Sequence, residues 1–203
     1  MSKQKSLKAA DSDLVYALVE WIQAKKRFEG ENDLPEKRRV PYDIPRRIGE
    51  AADHIVASVR ILRRFPEEET DGDLMFSDLQ HLGRSIMKAS IDIGESLDDG
   101  TDDMIDHCEH PRVFVSWQGV CVAVEELARA AAQELKDLQP KYRGVSDSGL
   151  IYAAGIMEDT AKEALRCRKR GITGHLEGSL SEYALEDAKS LGFTTRNLED
   201  LED

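Results

Sequence analysis

The chain has 203 residues, 33% of them charged, and a formal net charge of −12 at pH 7. This length is enough for one substantial domain that buries its own core. Three cysteines without a Cys-x-x-Cys spacing exclude a disulfide framework and a zinc knuckle. No segment approaches the roughly 18 consecutive apolar residues of a membrane span, so we expect a soluble protein of the reducing cytoplasm with no membrane partner.

Apolar residues recur at intervals of three and four along the first half of the chain, and this spacing is typical of amphipathic helices. A first helix is predicted over residues 13–28. A second begins near Pro45, whose missing N–H costs nothing in a first turn, and runs to about residue 62. A third carries the regular stripe from Met75 to Leu97 and reaches an acidic stretch.

Three further helices are predicted in the second half. The fourth follows Pro111 and runs to about residue 138, the fifth covers about 148–167, and a short sixth covers about 180–191 after the glycine-containing sequence RKRGITGHLEG. Strict alternation of apolar and polar residues is scarce. The predicted fold is therefore all-α, a single-domain antiparallel bundle of about six helices over residues 1–192, with an acidic C-terminal tail at 193–203.

The negative charge is concentrated in the middle of the chain. Residues 66–140 hold 5 Lys and Arg against 18 Asp and Glu, whereas residues 1–65 hold 14 against 10 and residues 141–203 hold 9 against 12. A surface of this kind repels nucleic acid and attracts basic proteins.

The acids of residues 92–111, DIGESLDDGTDDMIDHCEHP, follow one another at helical intervals. On a helix they form one stripe that repeats every turn, about 5.4 Å, a spacing near that of phosphates on a nucleic acid strand. The alternative is a solvated loop, because like charges repel and Gly100 interrupts a helix. As a stripe, the predicted binding residues are Asp92, Glu95, Asp99, Asp102, Asp103, Asp106 and Glu109.

Metal-binding patterns are incomplete. His107, Cys108 and His110 are ligand types that suit zinc, but no second ligand pair stands at a recognisable spacing. The pairs Asp78 with His81 and Glu50 with His54 do not make the two Glu-x-x-His units of a di-iron bundle. The sequence therefore predicts no metal and no cofactor.

Basic residues cluster at 25–27, 37–39, 46–47, 63–64 and 166–170. If the first four clusters meet in the fold, they form a patch that holds phosphates without reading a base sequence. This favours an alternative function, a helical subunit of a nucleoprotein complex. Trp21 and Trp117 fall on apolar stripes and are predicted to be core residues.

A second alternative is enzymatic. Arg170 precedes His175, Arg168 precedes the same histidine, and Arg47 precedes His54, each with four to six residues between them. In this spacing and in its helical architecture the chain resembles metal-independent ribonucleases of the HEPN type. The resemblance implies an Arg–His pair acting on RNA, while Gly171 departs from the polar residue usual at that position.

Glycine-rich phosphate loops and nucleophile elbows are not found, so a non-enzymatic function is favoured. The leading hypothesis is an acidic helical inhibitor, adaptor or regulator. It docks on a basic macromolecular surface, such as that of a nucleic-acid-binding protein, by mimicking nucleic acid in a mobile-element or defence setting.

Overall fold

Five α-helices form the computed structural model, which describes residues 5–28, 43–64, 72–108, 110–142 and 147–177. They are α1 (Leu7–Phe28), α2 (Asp43–Arg64), α3 (Gly72–His107), α4 (Pro111–Leu138) and α5 (Asp147–Glu177), with a 3-10 turn at Gln139–Tyr142. Within these ranges there is no strand, so the predicted all-α class is confirmed. None of the described helices has the length and apolar character needed to cross a membrane.

The described residues form five helices where about six were predicted for the whole chain, and two of the five are longer than predicted because they continue through glycines. The third does not stop at Gly100, and the fifth passes through Gly171 and Gly174 to Glu177. The cost of a helical glycine, about 1 kcal/mol relative to alanine, is offset at Gly100 by a close contact with Trp117 of α4 that no larger residue permits. The predicted sixth helix and the boundary at residue 192 lie outside the described residues.

The helices pack in a ring in the order α1, α4, α5, α3, α2, with a smaller contact between α2 and α1. The α1 and α4 helices run antiparallel, since Lys5 lies against Glu126 and Trp21 against Trp117. Chain direction alternates from helix to helix, as expected for a bundle. The exception among neighbours is the pair α3 and α5, which run parallel.

The two tryptophans meet at the centre of the core, as predicted for core residues. The ring centroids of Trp21 and Trp117 lie 4.7 Å apart, and both side chains are buried. The indole Nε1 of Trp117 donates a hydrogen bond to Thr101 Oγ1 at 3.2 Å. The same ring lies on Gly100, where a Cβ would come within 2.9 Å of Cζ3 and nearer still to Cη2 and Cζ2. Gly100 therefore allows α3 to approach α4.

Candidate functional site

The predicted acidic stripe lies on the C-terminal half of α3 and is helical throughout its described length. The α3 ridge is the row of exposed carboxylates that points away from the core, and it spans about 16 Å at 1.5 Å per residue. Its members are Glu95, Asp99, Asp102 and Asp106. The alternative of a solvated loop broken at Gly100 is wrong for this stretch. Glu109 lies outside the described residues.

On one side of the ridge, an arginine of α2 binds two of its carboxylates. The guanidinium of Arg47 donates from Nη1 to Asp99 at 3.0 Å and from Nη2 to Glu95 at 3.5 Å. The two carboxylates are one turn apart, so a single arginine bridges them. Their side chains remain 57% and 64% exposed, respectively. The pairing therefore orients these carboxylates without covering them.

On the other side, α5 supplies two arginines. Arg170 lies 2.9 Å from Asp98 and 3.2 Å from Asp102, and Arg166 lies 3.0 Å from Asp98. Asp98 is half-buried between α3 and α5 and is shared by both guanidiniums. Asp102, 62% exposed, keeps most of its surface open to solvent.

Asp103 has a different environment from the other predicted binding residues. Its carboxylate accepts a hydrogen bond from the ammonium of Lys25 at 2.9 Å, and the two side chains are only 14% and 11% exposed. Lys25 also lies over the Trp21 ring, 5.5 Å from its centroid. This pair joins α1 to α3 beside the tryptophans, so Asp103 has a structural role and is not part of the ridge.

Of the seven carboxylates between residues 92 and 106, five thus pair with four basic side chains from three other helices. Asp92 and Asp106 form no ion pair with any residue in the described ranges. The local charge is reduced to −3, and it is placed at the outer surface of α3.

One group of potential metal ligands occurs in the described part of the chain, formed by Asp98, Glu163 and Cys167, and it was not predicted from the sequence. Arg166 already binds both carboxylates, and its hydrogen bond lowers the pKa of Glu163. Burial, followed by the nearby Asp98 and Glu163, raises the pKa of the Cys167 thiol to about 12. A neutral thiol and carboxylates bound to guanidinium are poor ligands for a cation, so we interpret the group as an ion-pair network.

The residues considered for zinc are used in the fold. His110 is the N-cap of α4, where its Nδ1 accepts a hydrogen bond from the backbone N–H of Arg112 at 3.2 Å. The Cys108 thiol is buried and donates to the His110 carbonyl at 3.3 Å. The His107 side chain lies outside the described part, and the absence of a metal stays a prediction.

Within the described residues, the basic clusters of α1 and α2 do not all lie at one end of the bundle. Arg47 and Arg63 lie near opposite ends of α2, 16 residues or about 24 Å apart. Arg63 pairs with Glu134 of α4 at 3.3 Å, while Lys25 is buried against Asp103. The cluster at 37–39 lies outside the described residues.

The arginines of the ribonuclease resemblance also bind carboxylates. Arg170 is held by Asp98 and Asp102, and Arg168 lies 3.9 Å from Glu125. Arg47 is bound to the ridge. The α5 helix continues through position 175, but the structure does not describe the His175 side chain. The Arg–His pair therefore stays a prediction.

A second candidate site, which sequence reasoning missed, is a groove between α1 and α4 with a volume of about 560 Å³. The α1–α4 groove is bordered by two helical stripes that face each other. Its polar border is formed by Tyr16, Glu20, Gln23 and Arg27 of α1 and by Arg112 and Ser116 of α4. The intervals of three and four on α1 were a readable signal, but exposed polar stripes are common on surface helices.

Two arginines stand at one end of this groove. The Arg27 and Arg112 guanidiniums lie over the Phe28 ring, 5.2 and 5.4 Å from its centroid, and His110 stacks on that ring at 4.3 Å. In the ranges that the structure covers, neither arginine forms an ion pair. They therefore differ from the arginines of the α3 ridge.

Comparisons of the chain with protein-family models, with curated proteins and with solved structures found no match.

Proposed function

We propose that this is a non-enzymatic binding protein of the cytoplasm, an acidic helical inhibitor, adaptor or regulator. Its α3 ridge docks on a basic surface of a macromolecule. The observation that supports this proposal is a row of four exposed carboxylates at helical intervals, three of which are held in place by Arg47 and Arg170.

Pairing inside the fold does not remove the capacity of these carboxylates to bind. Each carboxylate offers about four lone-pair positions, and one guanidinium occupies only part of them. Asp106 has no ion pair in the described ranges, and Glu95, Asp99 and Asp102 are more than half exposed. Since Arg47 and Arg170 already restrict the rotamers of Glu95, Asp99 and Asp102, less entropy of these side chains is lost on docking.

The partner that suits this ridge carries Lys and Arg in a groove built for phosphates. The ridge repeats its charge about every 5.4 Å, one helical turn, and so presents a regular line of anions as a nucleic acid strand does. A nucleic-acid-binding protein fits this description. Such a partner could belong to a defence system that this chain, as a protein of a mobile element, inhibits. Charge complementarity of this kind accelerates association and selects the partner.

The test compares two variants with the same net charge. The ridge variant carries Glu95→Gln, Asp99→Asn, Asp102→Asn and Asp106→Asn. The control variant carries Asp53→Asn, Asp137→Asn, Glu158→Gln and Asp159→Asn, which are exposed acids elsewhere on the bundle. Asp103 is left intact because it holds Lys25.

Each protein is used to recover partners from a lysate of the native host at two salt concentrations, and the affinity for the recovered partner is measured. We expect wild type and control variant to bind alike, and the ridge variant to bind at least tenfold more weakly with a flatter salt dependence. Equal affinity of the ridge and control variants would show that the ridge is not the docking surface.

The two alternatives are tested with the same preparation. Salt-dependent binding of wild type to bare RNA or DNA would favour the nucleoprotein subunit. Cleavage of RNA without metal, lost in His175→Ala, would favour the ribonuclease.

A further inference from the structure

We propose that the α1–α4 groove is a binding site for a small phosphate monoester with a hydroxylated body, such as a sugar phosphate or a mononucleotide. This inference does not depend on the function proposed for the α3 ridge. In the ring of helices the seam between α1 and α4 lies across the bundle from α3.

The phosphate would bind at the arginine end of the groove. Arg27 and Arg112 come from different helices and converge on one ring, that of Phe28. Neither guanidinium forms an ion pair within the described residues, so a bound dianion would supply a counter-charge to both. Guanidinium groups match the oxygens of a phosphate with paired N–H donors, so two of them can hold one phosphate group.

The opposite end of the groove selects against a long polyanion. Glu20 lies seven residues from Arg27 on the same face of α1, about 10 Å away. Tyr16 donates a hydrogen bond from its hydroxyl to Glu20 at 2.6 Å, and this orients the carboxylate. A nucleic acid strand would place further phosphates against Glu20, whereas the hydroxyl groups of a sugar can donate to it.

The middle of the groove has the size and character for the body of such a ligand. A volume of about 560 Å³ falls within the roughly 300–1,000 Å³ typical of small-molecule sites. Its floor consists of small or apolar residues, and Gln23 and Ser116 on the borders supply amide and hydroxyl groups for hydrogen bonds. The floor residues are Ala17, Ala24, Val115 and Gly119.

The first test measures binding of ribose 5-phosphate, AMP and inorganic phosphate to the full chain by isothermal titration calorimetry, with ribose and adenosine as uncharged counterparts. We expect ribose 5-phosphate or AMP to bind at least tenfold more tightly than its counterpart. Arg27→Gln with Arg112→Gln should weaken that binding at least tenfold. The matched control is Arg46→Gln with Arg60→Gln, which removes the same charge from exposed positions on α2 and should leave binding unchanged.

The second test fills the groove. A Cβ at Gly119 meets nothing within 4 Å, and Gly119 lines the groove, so Gly119→Leu starts a bulky side chain in the open space of the groove. Gly155→Leu on α5 is the control, since it is equally unobstructed and outside the groove. Binding lost in Gly119→Leu and kept in Gly155→Leu supports the site. No binding of any phosphate probe by wild type at millimolar concentration, or binding that survives both the arginine and the Gly119 changes, overturns it.

Discussion

The α3 ridge and the α1–α4 groove differ in whether their arginines are paired with carboxylates of the same chain. On the ridge, Arg47 binds Asp99 at 3.0 Å and Arg170 binds Asp102 at 3.2 Å. In the groove, Arg27 and Arg112 lie over an aromatic ring and pair with no carboxylate in the described part of the chain. The protein is strongly acidic overall, yet these two arginines line an open groove without an ion pair in the described residues.

The contrast shows that density of charge along a sequence is a poor guide to where charge is available for binding. In the most acidic stretch of this chain, most carboxylates form ion pairs with side chains of other helices. Each exposed pair stabilises the fold by about 0.2 to 1 kcal/mol.

The largest expected effect is on the free energy of unfolding, and it differs between a glycine of α3, Gly100, and a glycine of the groove, Gly119. Gly100→Ala should lower the free energy of unfolding by about 3 kcal/mol, because the new Cβ overlaps the buried ring of Trp117. Gly119→Ala in the groove meets nothing and should raise it by up to about 1 kcal/mol, because alanine favours the helix. Urea denaturation followed by circular dichroism measures both.

A second, somewhat smaller effect is expected at the buried end of the acidic stretch. Lys25→Met should cost about 2 kcal/mol, because it leaves Asp103 largely buried without its cation. Arg46→Gln, which removes an exposed i,i+4 pair with Glu50, is the control and should change stability by less than about 0.5 kcal/mol. Equal losses in the two variants would mean that Asp103 belongs to the exposed ridge after all.

The smallest effect is a dependence on pH. The hydrogen bond from Arg166 lowers the pKa of Glu163 in the folded state, so the network stabilises the fold above the ordinary carboxyl pKa and is lost as pH falls below it. We expect Glu163→Gln to reduce the loss of stability between about pH 6 and pH 3.5 by less than about 1 kcal/mol. An unchanged pH dependence in this variant would show that the pair contributes nothing to it.

Local sequence signals predicted the helices well where their causes are local. Pro111 marks the first turn of α4, and the apolar stripes placed α2 and α4 within a few residues of their bounds. The continuation of α3 through Gly100 was not predictable, because its cause is Trp117 on the next helix. The structure gives no comparable cause for the continuation of α5 through Gly171, since the atom nearest to a Cβ there is Nε2 of Gln118, the end of a flexible side chain.

The candidate sites were predictable only in part, for the same reason. The register of the acids on α3 was correct, but the sequence does not say that Arg47 and Arg170, roughly 50 and 70 residues away, bind them. Asp103 has the same local pattern as its neighbours and a different environment. The groove depends on residues of α1 and α4 that lie nearly 100 positions apart, so no local pattern predicts it.

The central claim is that the arginines of the ridge are paired inside the fold whereas those of the groove are available to a ligand. The most direct test follows the side-chain Nε–H signals of arginine by NMR while ribose 5-phosphate is added. The account predicts that Arg27 and Arg112 shift together and saturably, while Arg47 and Arg170 stay in place. Shifts of Arg47 and Arg170 as large as those of Arg27 and Arg112 would contradict it.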